Sequence, residues 1–167
     1  MSETYLEYLV KHKASPIKVA VKYLLYVWTV FLVIVGLLGN VTSMVVGVLC
    51  GVLAYFVTLN TEIEYEYLFL GKELFVDKIY AKSKRKRMAE FDLARMEIIA
   101  PVKSHRLDAY KANKKYYSYD FSSNQEMTEA YCLVYAGDDE VSKVTLDMTE
   151  ELLQCFKNVS PRKVFTD

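Results

Sequence analysis

Cysteine, glycine and proline are scarce in this chain of 167 residues, which contains three cysteines, six glycines and three prolines. The cysteines, Cys50, Cys132 and Cys155, have no CxxC spacing and no paired pattern, so the sequence predicts neither a disulfide framework nor a metal site. All three lie in apolar or periodic segments, where a thiol acts as a small hydrophobic group. This usage favours a reducing, cytosolic environment for the C-terminal part.

Motifs of catalysis are also lacking, since the sequence contains no nucleophile pattern and no glycine loop that would cradle a phosphate. His105, Arg106 and Asp108 stand close together in a polar segment and are the group best suited to acid–base chemistry. A loop of mixed charge is more often simply solvated. We therefore expect a protein that is not an enzyme, with no catalytic residue and no cofactor.

Formal charge is absent from Tyr23 to Thr61, a run of 39 residues. A single helix of this length would extend roughly 58 Å, whereas the hydrocarbon core of a bilayer is about 30 Å thick. Two short crossings fit this run better than one tilted helix. The apolar run also begins too late and is too long for a cleavable signal peptide.

The break between the two crossings is predicted at Gly39–Asn40, where turn-forming and small polar residues come together. Ser15 and Pro16 give the start signal for the first helix. On the second helix, Gly47 and Gly51 have the small-xxx-small spacing that lets helices approach closely. We take this spacing as a sign of packing within the hairpin and not of dimerisation.

Basic residues lie on both sides of the apolar run, and by the positive-inside rule both termini are expected in the cytoplasm. The predicted location is the cell membrane, with two spans. The lysines and arginines that carry this prediction are Lys11, Lys13, Lys18, Lys22, Lys72, Lys78 and the cluster at 82–87.

The first residues admit two interpretations. Tyr5, Leu6, Leu9 and Val10 have helical spacing, which indicates a short amphipathic helix on the membrane surface. The alternative is a tail that packs on the following domain. The predicted domains are an N-terminal amphipathic segment at 1–17, a transmembrane hairpin at 18–60 and a cytoplasmic domain at 61–167.

After Thr61 the pattern changes to the alternation of apolar and polar residues that is typical of half-buried strands. A two-residue turn at Gly71 and Lys72 predicts a hairpin. Its register sets Asp77 opposite Glu66, two like charges, which leaves a shifted pairing as the alternative. Seven short strands follow in all, which favours a small antiparallel barrel or sandwich. They are expected near 62–69, 74–80, 88–93, 96–102, 116–121, 129–135 and 141–146.

A C-terminal helix closes the chain. Asp147 with Glu150 three residues later has the form of a capping box. The residues that follow make one apolar stripe, which must be buried against the strands. The stripe consists of Met148, Leu152, Cys155, Phe156 and Val159.

The order of a two-helix hairpin, seven strands and one C-terminal helix resembles bacterial membrane proteins with a pleckstrin-homology-like (PH-like) cytoplasmic domain. The stretches EIEYEYLFLGKELFVDKI, AKSKRKR and MEIIAPVKSHRLD resemble a family of small two-span membrane proteins from Gram-positive bacteria. The resemblance implies a membrane α-helical hairpin plus a mostly-β soluble domain, a seven-strand antiparallel PH-like barrel with a C-terminal helix. It supplies no catalytic residue.

The basic segment after Tyr80 is the main candidate site. Its connection is expected at the membrane-proximal end of the strands, where it would face anionic lipid headgroups. The alternatives are a solvated hairpin tip paired with acids such as Glu90, or charges that only orient the helices. Nucleic acid is not expected, since no aromatic platform accompanies the charges. The candidate lipid contacts are Lys82, Lys84, Arg85, Lys86 and Arg87.

Taken together, these features predict a membrane-tethered interaction module that binds an unknown protein partner or anionic lipid headgroups at the inner leaflet. The alternative is an accessory subunit whose helices pack against a larger membrane transporter or complex.

Overall fold

The computed structural model of the protein describes residues 5–111, 116–125, 129–137 and 141–166. They divide into two compact units. The helical unit comprises residues 13–63 and 79–84, and the β-rich unit comprises the other described residues. Each unit is therefore assembled from separate stretches of the chain.

The helical unit consists mainly of two apolar helices, α1 (Pro16–Leu37) and α2 (Val41–Thr61). Gly39 lies between them with a φ of 109°, a conformation that favours glycine. The side chain of Asn40 caps α2 by accepting the backbone N–H of Ser43 at 3.2 Å. The predicted break at Gly39 and Asn40 is thus confirmed. Both helices are long and apolar enough to cross a membrane, and few of their residues are buried within the protein.

Close packing of α1 on α2 depends on small residues. A Cβ atom on Gly47 would lie 3.1 Å from Cγ2 of Val33, and one on Gly51 would lie 3.3 Å from Cγ2 of Thr29. The predicted role of Gly47 and Gly51 in packing within the hairpin is therefore confirmed. Gly36 on α1 lies even closer to the opposite helix, because a Cβ atom added there would lie 2.6 Å from Cβ of Met44.

The first sheet contains four strands in the order β1-β2-β3-β4. Strand β1 lies before the helices and pairs antiparallel with β2, the strand that follows them, from Tyr5 opposite Leu70 to Lys11 opposite Glu64. The strands are β1 (Tyr5–Lys11), β2 (Ile63–Leu70), β3 (Glu73–Tyr80) and β4 (Lys84–Asp92).

The predicted N-terminal amphipathic helix is wrong, because residues 5–11 form strand β1. The spacing of apolar residues in this segment fits both a helical period and a strand period. Leu6, Tyr8 and Val10 alternate with more exposed residues, and Val10 is buried. A strand is formed because β2 offers a hydrogen-bonding edge, a partner that lies more than fifty residues away in sequence. Residues 1–4 of the predicted segment lie outside the described part.

The second sheet also has four strands, in the order β5-β7-β8-β6. Strand β6 runs parallel to β8, and the other pairs are antiparallel. Short helical turns at Leu93–Arg95 and His105–Leu107, and α3 (Asp108–Lys111), occupy the connections. The strands are β5 (Met96–Pro101), β6 (Tyr117–Asp120), β7 (Ala130–Ala136) and β8 (Val141–Asp147).

All seven predicted strands are present, but the predicted count of seven is wrong. The residues that the structure describes form eight strands in two separate four-stranded sheets, not a seven-strand antiparallel barrel. The eighth strand is β1, whose sequence lies on the other side of the apolar run. The parallel β6–β8 pair departs from a purely antiparallel arrangement.

The C-terminal helix α4 (Glu150–Val159) is capped by Thr149, whose hydroxyl accepts the backbone N–H of Leu152 at 3.3 Å. The predicted capping box at Asp147 is wrong, because Asp147 ends β8 and its carboxylate accepts the N–H of Ser123 at 2.7 Å. The apolar stripe is buried as predicted at Leu152, Cys155 and Phe156.

Aromatic residues of β2 lie at the centre of the β-rich unit. The ring of Phe69 lies 6.0 Å from that of Phe156 on α4. The buried hydroxyl of Tyr67 donates to the carbonyl of Phe121 at 2.7 Å and accepts the N–H of Asp147 at 3.3 Å. Strand β2 is thereby joined to both the helix and the second sheet.

Candidate functional site

The basic segment lies mostly in a strand and not in a loop. Only Lys82 belongs to the turn between β3 and β4, whereas Lys84, Arg85, Lys86 and Arg87 begin strand β4. All five side chains are exposed, at least in part. Successive side chains of a strand point to opposite faces of the sheet, so neighbouring residues of the basic segment on β4 have different surroundings.

The turn itself has an unusual backbone. Ala81 and Lys82 have φ values of 44° and 55°, in the left-handed region that hairpin turns of two residues require. Such values cost about 1 kcal/mol or more at a residue other than glycine. The N–H of Ser83 donates to the carbonyl of Tyr80 at 3.0 Å and closes the turn.

A hydrogen bond joins this turn to the end of α2. The N–H of Ala81 donates to the carbonyl oxygen of Glu62 at 2.7 Å. The Glu62 carboxylate in turn accepts Nζ of Lys22, on α1, at 2.6 Å. One residue thus connects both helices and the turn, all within the helical unit. This contact supports the expectation that the connection after Tyr80 lies near the membrane.

The two arginines are engaged by acids within the β-rich unit. Arg85 donates to the Glu66 carboxylate at 2.7 Å, and Arg87 donates to the Asp77 carboxylate at 3.0 Å. The acids are only 4% and 5% exposed. Burying such charges is costly unless they are paired. The arginines therefore have a structural role that the sequence analysis missed.

This pairing also supplies the cations that the predicted like-charge pair on β2 and β3 needs. Glu66 and Asp77 were predicted to face each other across a two-residue turn, and Gly71 in that turn has a φ of 61°. Arg85 and Arg87, both on strand β4, neutralise the two acids. The signal in the sequence was the like-charge pair itself, because two opposed buried acids require cations nearby.

A third acid extends the network to β1. Burial raises the pKa of Glu66, and so does a hydrogen bond with Glu7, while Arg85 opposes the increase. The Tyr5 hydroxyl donates to Glu7 at 2.8 Å, and this bond, together with the one to Glu66, lowers the pKa of Glu7. Glu7 on β1 and Glu66 on β2 thus influence each other's pKa, which extends the charge network of β2, β3 and β4 to β1.

The candidate acid–base group lies on the surface. His105 Nδ1 is 3.3 Å from the Asp108 carboxylate, and both side chains are exposed. The guanidinium of Arg106 lies over the ring of Phe165, 4.1 Å from its centroid. His105 borders an open basin of about 450 Å³, lined by Pro101, Lys103, Ser104, His105 and Arg106. An open basin of this kind leaves the group solvated. That the protein is not an enzyme stays a prediction.

Within the described part of the chain, no group of three or more His, Cys, Asp or Glu side chains is placed to hold a metal ion. None of the three cysteines forms a disulfide bond. Two of them, Cys50 and Cys132, are partly exposed, and Cys155 lies on the buried face of α4.

Two four-stranded sheets with a C-terminal helix packed on them are consistent with a PH-like domain. The family described as "Bacterial PH-like domain (DUF6106)" matches residues 2–166, and the chain belongs to this family. The match begins before the helices, so the family includes β1 and the hairpin as well as the later strands. A search of the curated proteins and a search of the solved structures each gave no match.

Proposed function

We propose that this chain is a membrane-tethered, non-enzymatic interaction module. Two helices cross the cell membrane as a hairpin, both termini are cytoplasmic, and the PH-like domain binds a protein partner or anionic lipid headgroups at the inner leaflet. A PH-like domain suggests this kind of role, although a fold alone does not determine a function.

The pairing of β1 with β2 is the observation that carries the proposal. Four residues separate the end of β1 from the start of α1, and one residue separates the end of α2 from the start of β2. The two strands are adjacent over seven residues, from Tyr5 opposite Leu70 to Lys11 opposite Glu64. Both must therefore be on the same side of any bilayer that the helices cross. A hairpin satisfies this condition, and a single crossing does not.

The distribution of charge supports a cytoplasmic location of that side. Lys13, Lys18 and Lys22 precede or begin α1, and Lys82 and Lys84 follow α2. No charged residue lies near the turn at Gly39 and Asn40. By the positive-inside rule, the lysine-rich end of the hairpin is the cytoplasmic one.

The accessory-subunit hypothesis is favoured by a different observation, the large apolar surface that α1 and α2 leave exposed. Lipid can cover this surface, and so can the helices of a larger membrane complex. The two functions differ in which part of the chain retains a partner.

Affinity purification in mild detergent tests the proposal. The full chain is compared with a variant in which residues 13–62 are replaced by an Asn-Gly turn, so that β1 and β2 stay joined. A partner retained by both chains, or salt-sensitive association of the shortened chain with anionic vesicles, supports the interaction module. A partner retained only when the helices are present favours the accessory subunit. Absence of a retained partner from both chains, together with no preference of the full chain for anionic lipid, contradicts the proposed module.

A further inference from the structure

The helical unit carries a strong charge excess. It contains five lysines and one acid, Glu62, which give it a net charge of +4, while the whole chain is neutral. The rest of the chain therefore carries a net charge of −4. This separation of charge coincides with the division into the two units.

All charges of the helical unit lie at one end of the hairpin. Lys13 and Lys18 flank the start of α1, and Glu62 follows the end of α2. Lys82 and Lys84 come with the turn that is bonded to Glu62 through the N–H of Ala81. The cationic end is thus defined by contacts within the unit, independently of the positive-inside rule.

Of the five lysines, Lys22 has an acid partner, since its ammonium group pairs with Glu62. The other four are exposed, and none of them pairs with an acid in the part of the chain that the structure describes. These four side chains, Lys13, Lys18, Lys82 and Lys84, are called the lysine ring below. Their ammonium groups are strongly hydrated point charges on flexible stems, which suit phosphate oxygens at a headgroup surface.

Arg85 and Arg87 are unsuited to this role. Their guanidinium groups are already paired with Glu66 and Asp77, and a lipid phosphate would have to compete with two buried carboxylates. Removing either arginine from its acid would leave a charge that is buried and unpaired. The five-residue basic segment therefore contains cations of two different kinds.

We propose that the lysine ring is a binding surface for the headgroups of anionic phospholipids, in the leaflet where α1 begins and α2 ends. This inference rests on the proposed membrane tether and names the ligand class of its cationic end. Exposed aromatic side chains at the start of α1, Tyr23, Tyr26 and Trp28, are typical of the interfacial zone where such headgroups lie. An acidic protein surface is the competing ligand, and the test includes it.

A lysine close to an anionic surface contributes about 1 kcal/mol, which corresponds to about a five-fold preference for the anionic lipid that it contacts. The test uses the full chain, reconstituted in phosphatidylcholine bilayers that contain spin-labelled phosphatidylglycerol or spin-labelled phosphatidylcholine. The measured quantity is the association constant for the first lipid relative to the second. We expect the wild-type chain to prefer phosphatidylglycerol several-fold at low salt and less strongly at high salt, because salt screens exposed charges.

Three variants make the test specific. Replacing all four members of the lysine ring by glutamine should bring the preference to within about two-fold of equality, since most of the contact charge is lost. The double variant Lys82→Gln, Lys84→Gln should lose part of it. The matched control is Lys72→Gln, Lys103→Gln, which removes two exposed lysines of the β-rich unit and should leave the preference unchanged.

A preference that survives the fourfold change, or that is absent from the wild-type chain, overturns the proposal. So does an equal loss in the control, which would indicate a response to net charge alone. A photo-reactive residue at Ser83 that captures a protein in native membranes and no lipid also counts against it. Failure of the proposed tether itself is recognised separately, because reporter fusions at the two ends would then lie on opposite sides.

Discussion

The helical unit and the β-rich unit are specified by residues at very different separations along the chain. Helices α1 and α2 are consecutive and meet through residues close to the turn between them, such as Gly36 and Met44. The first sheet, in contrast, begins with a strand whose partner lies beyond both helices. Local patterns are therefore sufficient to identify the hairpin, whereas the β-rich unit also depends on the pairing of β1 with β2, which no local pattern reveals.

The two units also differ in how they manage charge. The β-rich unit buries Glu66 and Asp77, on β2 and β3, and neutralises them with arginines from strand β4. The helical unit leaves most of its lysines exposed at one end. The ion pairs of the β-rich unit join its strands, whereas most lysines of the helical unit are exposed at its surface. The predictions below separate these two uses, from the largest expected effect to the smallest.

The largest effect is expected from removal of β1. Without residues 1–12, the edge of β2 loses its hydrogen-bonding partner and exposes a strand edge, which promotes aggregation. Burial of Val10 alone contributes about 2 kcal/mol. We expect the truncated chain to lose cooperative unfolding, as measured by circular dichroism during thermal denaturation.

The matched control removes the hairpin and keeps the strand. Replacing residues 13–62 by an Asn-Gly turn joins β1 directly to β2, and it should give a soluble monomer with a cooperative transition by gel filtration and circular dichroism. If the chain without β1 unfolds cooperatively and this control does not, the β-rich unit is not built across the hairpin.

The helical unit should respond to a larger residue at Gly36. The side chain of Gly36→Leu has no room beside Met44, so the helices must separate, at an expected cost of about 1 to 3 kcal/mol. Unfolding of the full chain by dodecyl sulfate in detergent micelles measures this cost. Ala20→Leu adds the same kind of bulk at an exposed position of α1 and should change little. Equal stability of both variants would show that the helices do not pack as described.

Within the basic segment, alanine substitutions of the neighbours Arg87 and Lys86 should differ in their effect on the free energy of unfolding. Arg87→Ala leaves Asp77 buried without its cation and removes the contact of the guanidinium with the Phe75 ring at 4.4 Å. Since Arg87 is half exposed, we expect a loss of about 1 to 2 kcal/mol in the free energy of unfolding. Lys86→Ala should change it by less than about 0.5 kcal/mol.

A double variant separates charge from packing in this case. Adding Asp77→Asn to Arg87→Ala removes the unpaired charge and should restore part of the lost stability in urea titrations. A double variant less stable than Arg87→Ala alone would show that the ion pair does not carry the effect.

The smallest effect is expected at Tyr67. Burial raises the pKa of its hydroxyl well above the usual value of 10. The folded state keeps a proton that the unfolded state releases above about pH 10, so stability is lost as the pH rises beyond that value. Tyr67→Phe removes the bonds to Phe121 and Asp147, which costs about 1 kcal/mol at neutral pH.

The readout for Tyr67 is the slope of stability against pH. Urea unfolding between pH 8 and pH 11 should show a shallower decline for Tyr67→Phe than for the wild-type chain. Identical slopes would mean that Tyr67 ionises as readily in the folded state as in the unfolded state. In that case the hydroxyl is not buried as described.

Much of the architecture was predictable because its signals are local. The uncharged run, the turn at Gly39 and Asn40, and the alternation after Thr61 predicted the hairpin and seven strands correctly. Residues 5–11 were misassigned because seven residues fit both a helical and a strand period, and only the distant partner decides between them. The cap of α4 was assigned to Asp147 because Glu150 three residues later completes a capping-box pattern, whereas the hydroxyl of Thr149 caps the helix.

The candidate site was predictable in composition but not in its division of roles. The sequence located all five cations of the basic segment, and it even indicated the opposed acids Glu66 and Asp77. It could not assign Arg85 and Arg87 to those acids, because pairing across β4 depends on the register of three strands. Nor could it reveal that the N–H of Ala81 bonds to Glu62.

The central claim is that the membrane hairpin is inserted between two paired strands, and one cross-link tests it directly. Cysteines introduced at Glu7 and Leu68, which are opposite each other in β1 and β2, lie within reach of a disulfide. In intact membranes, with the three native cysteines replaced by alanine, mild oxidation should join them rapidly within one chain. Cysteines at Leu9 and Leu70, four residues out of register, should not react. A chain in which the Glu7 and Leu68 positions fail to cross-link, or react no faster than this mismatched pair, contradicts the account.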